Sequence, residues 1–164
     1  MSAVSSPHRA AVAEPRWLAP SEQVAWRAYI ETVGDLTAAL ERDLAVTGLT
    51  LGDYQVLVYL SEADQHRMRM CDLAATLQLS PSGLTRRLDG LVKAGWVTRQ
   101  GSPEDRRVML AVLTAAGFDV LRDAAPVHVE SVRRRIFDHL EADDVASLAS
   151  VFGAIRDALA ADAS

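Results

Sequence analysis

The sequence has little of what secreted, membrane and disulfide-bonded proteins depend on. It has one cysteine, Cys71, so an internal disulfide framework is excluded. No uninterrupted apolar run approaches the roughly 20 residues that a membrane helix needs. The N-terminus also lacks the basic segment and apolar core of a secretory signal. We therefore expect a soluble protein of the reducing cytoplasm that has no membrane partner.

Patterns typical of catalytic and metal sites are missing as well. The four histidines are scattered without ligand spacing, and there is no Gly-rich phosphate loop or nucleophile elbow. We expect no catalytic residue, no metal and no cofactor, and thus no enzyme. The 164 residues, 49% hydrophobic and 24% charged, are typical of one globular domain or a small head with helical extensions.

The charge of the chain is distributed unevenly. The net charge is −5, yet the segment 65–110 has eight Lys or Arg against four Asp or Glu, so it carries +4 and the remainder −9. A basic middle on an acidic body can bind phosphate through one face. Without further context, a scatter of solvated surface charges would explain the same count.

The segment 79–114 predicts a capped helix followed by a hairpin. Ser80 suits an N-cap, Pro81 the first turn and Gly95 a left-handed residue past the end, so a helix is predicted from Pro81 to Ala94. One side is apolar and the other is polar: Leu84, Leu88 and Leu91 against Ser82, Thr85, Arg86 and Asp89. Residues 96–100 and 108–113 predict two strands around a GSPEDRR turn. Together these elements indicate a DNA-reading winged helix.

Amphipathic helices are predicted around this segment. Helical spacing of apolar residues covers 21–46, 50–62, 114–140 and 142–160, with a short helix at 71–77 and a possible strand at 67–70. Pro126 should kink the 114–140 helix. Residues 1–19 are expected to be a flexible tail. We expect a mainly α fold (α+β), with a winged helix-turn-helix DNA-binding domain at 49–114 and helical dimerisation regions at 20–48 and 115–164.

The apolar stripes of the terminal helices need a partner surface. The head already has a core of its own, formed by Leu57, Leu73, Leu77, Leu84, Leu88, Trp96 and Val108. A second copy would bury the stripes, and a two-fold dimer would place two recognition helices one DNA turn apart, roughly 34 to 36 Å. We therefore expect an obligate homodimer on a palindromic site.

The run from Leu73 to Gly117 resembles the MarR family of bacterial transcriptional regulators, which are small dimeric winged-helix proteins. The resemblance lies in the S-P-S-x-L-T-R helix opening, the L-x-x-x-G-W-V-x-R approach to the wing and the D-R-R exit from it. The YQVLVYL helix and the flanking helices fit the same plan. The resemblance implies a ligand-responsive regulator, most often a repressor, that binds double-stranded DNA as a homodimer.

The resemblance also implies which residues contact DNA. The recognition helix of the family enters the major groove, and its matching residues here are Ser80, Ser82, Thr85, Arg86 and Arg87. The wing arginine that reaches the minor groove corresponds to Arg107, with Arg106 as a second candidate. Asp105 would orient a neighbouring arginine by a charge-assisted pair. An intramolecular salt bridge is an equal alternative for Arg87, and an exposed charge without a role is the alternative for Arg106 and Arg107.

Other residues suggest how such a regulator would respond. Many members of the family release DNA when a small, often aromatic or phenolic, ligand binds where the dimerisation helices meet the head. Candidate lining residues are Trp26, Tyr29, Tyr54 and His128, for which a core or interface role is the simpler explanation.

Three further expectations remain open. Cys71 raises a redox-sensing regulator as an alternative, although a small buried residue is the favoured interpretation. A winged-helix protein-interaction module without DNA binding is another alternative. The basic run at 133–135 is expected to be a solvated helix face or to form interface salt bridges.

Overall fold

The computed structural model describes residues 15–105 and 107–162. The described residues form two compact units, divided between Asp35 and Leu36. Residues 15–19 have no regular structure, and helix α1 (Pro20–Leu44) begins in the first unit and ends in the second. Most of the expected tail, 1–14, lies outside the described residues.

The second unit combines helices with a small antiparallel sheet. Its helices are α2 (Leu51–Glu62), α3 (Met70–Thr76), α4 (Pro81–Lys93), α5 (Ala115–Arg135) and α6 (Ala142–Asp162). Its strands are β1 (Arg67–Arg69), β2 (Val97–Gly101) and β3 (Met109–Leu113), in the order β1-β3-β2. Short 3-10 turns follow α1, α2 and α5 at Ala45–Thr47, Asp64–His66 and Phe137–His139. The mainly α fold class with a winged hairpin is confirmed.

The bounds of α4 follow from local capping. The Oγ of Ser80 accepts a hydrogen bond of 3.1 Å from the N–H of Gly83. At the other end Gly95 has a φ of 78°, and the N–H groups of Gly95 and Trp96 donate to the carbonyls of α4's last turn at 3.0 and 2.9 Å. The predicted helix is therefore confirmed to within one residue.

The core of the second unit lies between α2, α3, α4 and the sheet. The three leucines predicted for the apolar side of α4 are each at most 1% exposed, which confirms that prediction. Trp96 and Val108, expected in the core, are partly buried, and the fully buried residue at this place is Val97. Trp96 and Val108 each directly precede a strand, because β2 and β3 both begin one residue later than predicted. Leu77, also expected in the core, is likewise partly buried.

Helix α5 passes through Pro126 without ending there. It ends at Arg135, before the predicted end at 140, because Ile136 leaves the helical region with φ −124° and ψ −70°. Close to that end, α5 is joined to the last turns of α1 by Asp43. The Oδ2 of Asp43 accepts hydrogen bonds from Ser131 Oγ at 2.6 Å and from Arg135 Nη2 at 2.7 Å.

The basic run at 133–135 therefore forms ion pairs within the chain. Arg134 Nη2 lies 2.9 Å from Asp43 Oδ2, beside Arg135, and Arg133 pairs with Asp138 at 3.4 Å. The side chains of Arg133 and Arg134 are nevertheless 61% and 59% exposed, as expected for a solvated helix face, whereas that of Arg135 is 29% exposed.

The Asp43 contacts predict a pH dependence of stability. The hydrogen bond from Ser131, followed by that from Arg135, lowers the pKa of Asp43 from 3.8 to about 2. The stabilisation is therefore present above pH 4 and is lost as the pH falls from about 4 to about 2. In Asp43→Asn we expect lower stability at pH 7 and a shallower loss over that pH range, measured by urea unfolding.

A matched control for this measurement is Asp119→Asn, which removes an exposed carboxylate of α5 that pairs with Arg122. Both variants lose one titrating group, so the difference between their pH profiles isolates Asp43. Identical profiles would contradict the assignment.

Candidate nucleic-acid interface

The outward side of α4 carries short hydroxyl side chains and one exposed arginine. The hydroxyl of Thr85 donates to the carbonyl of Pro81 at 2.9 Å, and the hydroxyls of Ser82 and Ser80 lie 3.2 Å apart. Arg86 is exposed and forms no ion pair with any residue in the described ranges. The side chains beside Arg86 thus stay close to the helix, and its guanidinium is available to a ligand.

The wing, defined as β2, β3 and the turn between them, ends in a hydrogen-bonded tip. The N–H of Ser102, which is buried, donates to the carbonyl of Val108 at 2.8 Å, and the N–H of Val108 donates to the carbonyl of Asp105 at 2.9 Å. The side chain of Asp105 accepts a hydrogen bond of 2.9 Å from the N–H of Arg107. Asp105 therefore orients Arg107 through the main chain. The other arginine with which Asp105 could form a charge-assisted pair is Arg106.

The guanidinium of Arg107 is exposed and has no ion pair within the described part of the chain. Arg107 lies in the turn of the wing, two residues before β3 begins. Arg106, the second candidate of the wing, lies outside the described residues.

Arg87 contacts the first turn of α2. Its Nη1 lies 3.8 Å from Asp53 Oδ1, and 33% of its side chain is exposed. Its guanidinium also occupies the place where a Cβ at Gly52 would lie. Of the two alternatives that the sequence leaves for Arg87, the structure contains the intramolecular ion pair.

Arg99 of β2 was not among the predicted site residues, yet it contacts α4. Its Nη2 donates to the carbonyl of Thr85 at 2.9 Å and to Asp89 Oδ1 at 2.8 Å. Strand alternation could have identified Arg99 from the sequence, because alternate residues share one side of a strand and Arg99 therefore lies on the same side of β2 as the buried Val97. A cation on the inner side of a strand requires a partner.

The candidate effector residues form two pairs. Tyr54 is buried and its ring centroid lies 4.5 Å from that of His128. The Nδ1 of His128 is buried and has no hydrogen-bond partner among the described residues. Burial lowers the pKa of His128 and raises the pKa of Tyr54, so both rings are uncharged at neutral pH. In the first unit, Trp26 and Tyr29 are exposed, with ring centroids 5.9 Å apart.

The expectation that Cys71 is buried was wrong. Cys71 is exposed and its Sγ donates to Asp72 Oδ1 at 3.4 Å. The two residues of α3 that enter the core are Leu73 and Ala74. Cys71 lies about 200° around the helix from Leu73 and about 60° from Ala74, which places it at the edge of the buried side, where the usual tendency of cysteine to be buried is not realised.

Neither a metal centre nor a membrane helix is present in the part of the chain that the structure describes. Within residues 15–105 and 107–162, no group of three or more His, Cys, Asp or Glu side chains could hold a metal ion. None of the helices described there is long and apolar enough to cross a membrane.

Comparison with known proteins supports a single family. The model of the MarR family matches residues 47–108. Two curated repressors are each 31% identical to this chain: YetL of Bacillus subtilis over 93 residues and MprA of Escherichia coli over 83 residues. The chain spans about half of their length, 56% of YetL and 47% of MprA.

Solved structures extend the similarity over most of the chain. AbsC, a MarR family transcriptional regulator from Streptomyces coelicolor, is 41% identical with a TM-score of 0.85, over 90% of this chain and 99% of AbsC. Sco3205 from the same organism, solved in complex with DNA, is 38% identical with a TM-score of 0.83, over 88% and 92%. CouR from Rhodococcus jostii RHA1, bound to p-coumaroyl-CoA, is 27% identical with a TM-score of 0.72, over 84% and 94%.

Helix α4 and the wing lie in the segment that the family model matches, or directly beside it, and the match to AbsC extends through the flanking helices. The chain belongs to the MarR family of transcriptional regulators.

Proposed function

We propose that this protein is a ligand-responsive repressor that binds a palindromic DNA operator as a homodimer. The observation that carries the proposal is the pair of exposed arginines, Arg86 on α4 and Arg107 on the wing, with no ion pair in the described part of the chain. Arg86 would read the major groove together with Ser82 and Thr85, and Arg107 would enter the minor groove. Sco3205, which is 38% identical, is solved in complex with DNA, and this supports DNA binding by the present chain.

The other predicted contacts have smaller roles in the proposal. The hydroxyl of Ser80 caps α4, so its contribution is to hold the N-terminus of the helix in position. Arg87 is engaged with Asp53 and would need to leave that ion pair to contact DNA. Arg106 remains a candidate on the strength of the sequence.

Exposed apolar side chains support the homodimer. Helix α6 has no buried residue from Ala142 to Asp162, although Val151, Ile155 and Leu159 are 54%, 48% and 64% exposed. On α1, Trp26 and Ile30 are 55% and 48% exposed. Exposed apolar stripes of this length are typical of surfaces that a partner covers, and a second copy supplies the matching stripes.

The effector would be a small aromatic or phenolic compound. The rings of Tyr54 and His128 pack against each other, and the buried Nδ1 of His128 lacks a partner among the described residues, so a ligand that entered this packing would meet an unpaired nitrogen. A phenolic hydroxyl or a carbonyl could complete that hydrogen bond. CouR, which binds the aromatic thioester p-coumaroyl-CoA, supports this class of ligand. Trp26 and Tyr29, which lie in the first unit, remain separate candidates for a ligand contact on the strength of the sequence.

Selection of bound duplexes from random DNA tests the proposal. We expect enrichment of inverted repeats whose half-sites lie about 10 base pairs apart, because a two-fold dimer presents two recognition helices one DNA turn apart. Sedimentation equilibrium at micromolar concentration should give the dimer mass. Repeating the selection with aromatic acids should reduce recovery.

The possible outcomes separate the alternatives. Absence of enrichment at low salt would favour a protein-interaction module without DNA binding. Enrichment that peroxide abolishes in the wild type but not in Cys71→Ser would favour the redox-sensing regulator, a candidate because Cys71 is exposed.

A further inference from the structure

Arg99 is placed where the wing faces α4. It lies in β2, opposite Ala111 of β3, and 28% of its side chain is exposed. Val97 on the same side of β2 is fully buried. The side chain of Arg99 therefore leaves the strand on its inner side and reaches the recognition helix.

One guanidinium nitrogen links the two elements. Nη2 of Arg99 donates to the main-chain carbonyl of Thr85 and to the carboxylate of Asp89, which lie one turn apart on α4. A hydrogen bond to a main-chain carbonyl depends on the position of the helix itself and not on a side-chain rotamer. This guanidinium thus bridges β2 and the main chain of α4.

The same guanidinium contains a donor without a partner. The Nε of Arg99 is buried and forms no hydrogen bond to a described residue. Burying an unpaired donor is unfavourable for folding, and a nonpolar side chain of similar length would avoid that penalty. A contribution to the free energy of unfolding therefore explains Arg99 poorly, whereas its bridge between β2 and α4 explains it well.

We propose that Arg99 is a positioning residue for DNA binding, which holds the wing and the recognition helix at one fixed spacing through Asp89 and the Thr85 carbonyl. This proposal rests on the proposed function. Arg86 and Arg107 lie on these two elements, so their approach to two grooves depends on that spacing. Arg99 also neutralises Asp89, a 58% exposed carboxylate on the helix that would otherwise repel phosphates.

The test compares Arg99→Met and Asp89→Asn with the wild type. Binding to the selected operator and to an unrelated duplex is measured by fluorescence anisotropy over a series of salt concentrations. We expect operator affinity to fall about tenfold in each variant, comparable to the effect of one mismatched base pair. Binding to the unrelated duplex should change little in Asp89→Asn, whereas Arg99→Met, which frees the carboxylate of Asp89, should weaken it by a smaller factor than it weakens operator binding. The double variant should bind no more weakly than a single variant, because the two residues act through one interaction.

The Asp89→Asn variant gives the sharpest result. Removing a negative charge from the helix should tighten DNA binding if electrostatics alone matters, whereas the positioning role predicts weaker binding. Tighter binding in Asp89→Asn, together with a salt slope that is shallower by about 0.9 per protomer in Arg99→Met, would make Arg99 a direct ligand of a phosphate and overturn the proposal. Wild-type affinity in both variants would overturn it as well.

Further measurements separate positioning from folding and from the proposed function. A folding defect lowers the active fraction for both duplexes equally and leaves the ratio of the two affinities unchanged, which would count against positioning. The matched control pair is Arg122→Met and Asp119→Asn, an exposed ion pair of α5, for which we expect wild-type ratios. Absence of DNA binding by the wild type would refute the proposed function and this inference together.

Discussion

Operator affinity is expected to fall by about 1–3 kcal/mol when either Arg86 or Arg107 is replaced by alanine. Both guanidinium groups are exposed and lack an ion pair within the described ranges, so their removal leaves no unpaired partner inside the protein. The effect should therefore appear in DNA binding and not in the melting temperature. In a homodimer each substitution acts twice, so the combined variant should lose specific binding altogether at physiological salt.

The two substitutions should differ in what they change. Arg86→Ala is expected to relax sequence preference at one base pair of each half-site, since a major-groove contact reads base edges. Arg107→Ala should reduce the preference for A·T-rich flanking steps, where a narrow minor groove attracts arginine. Repeating the DNA selection with each variant measures both effects. Arg122→Ala, an exposed substitution on α5, is the control, and unchanged affinity in Arg107→Ala would refute the role of the wing.

Gly117→Ala is expected to destabilise the protein by about 3 kcal/mol or more. Gly117 lies in the first turn of α5, where its N–H donates to Thr114 Oγ1 at 3.0 Å. A Cβ at this position would overlap the main-chain carbonyl of Trp96 and touch Leu113 Cδ1 at 2.8 Å. The same carbonyl accepts a hydrogen bond from the N–H of Thr114 at 3.0 Å. Moving either α5 or the main chain at Trp96 to make room for the Cβ would therefore break this hydrogen bond.

Gly90→Ala is the matched control for this prediction. Gly90 lies in α4, and a Cβ there would meet nothing within 4 Å. Replacing a helical glycine by alanine should therefore stabilise the protein by about 0.5–1 kcal/mol. Urea unfolding of both variants gives the comparison, and a Gly117→Ala variant as stable as the wild type would contradict the close approach of α5 to Trp96.

Local signals explain why the recognition helix could be predicted. Ser80 and Gly95 act on hydrogen bonds within a few residues, so their effect is visible in the sequence. The three buried leucines of α4 follow from helical spacing, which also depends on neighbouring positions. The resemblance to the family covers the same segment.

The contacts that could not be predicted join residues distant in the sequence. Asp43 meets Ser131 across 88 positions, and no local pattern selects that partner among the other hydroxyl and basic residues of α5. Arg99 is nearer to Asp89, but their ion pair depends on how β2 turns back along α4. For Cys71 the residue type predicts burial, yet the side chain is exposed at its position on α3, so the tendency of the residue type alone is a weak guide.

Gly52 has a consequence for the charge that the protein can present to a polyanion. The guanidinium of Arg87 fits against α2 because Gly52 has no side chain. Gly52 of α2 thus allows one arginine of the recognition helix to pair with Asp53. In the proposed dimer this engages two partly exposed arginines in ion pairs within their own chains. If the protein binds DNA as proposed, the absence of a side chain at residue 52 therefore influences how strongly that binding depends on ionic strength.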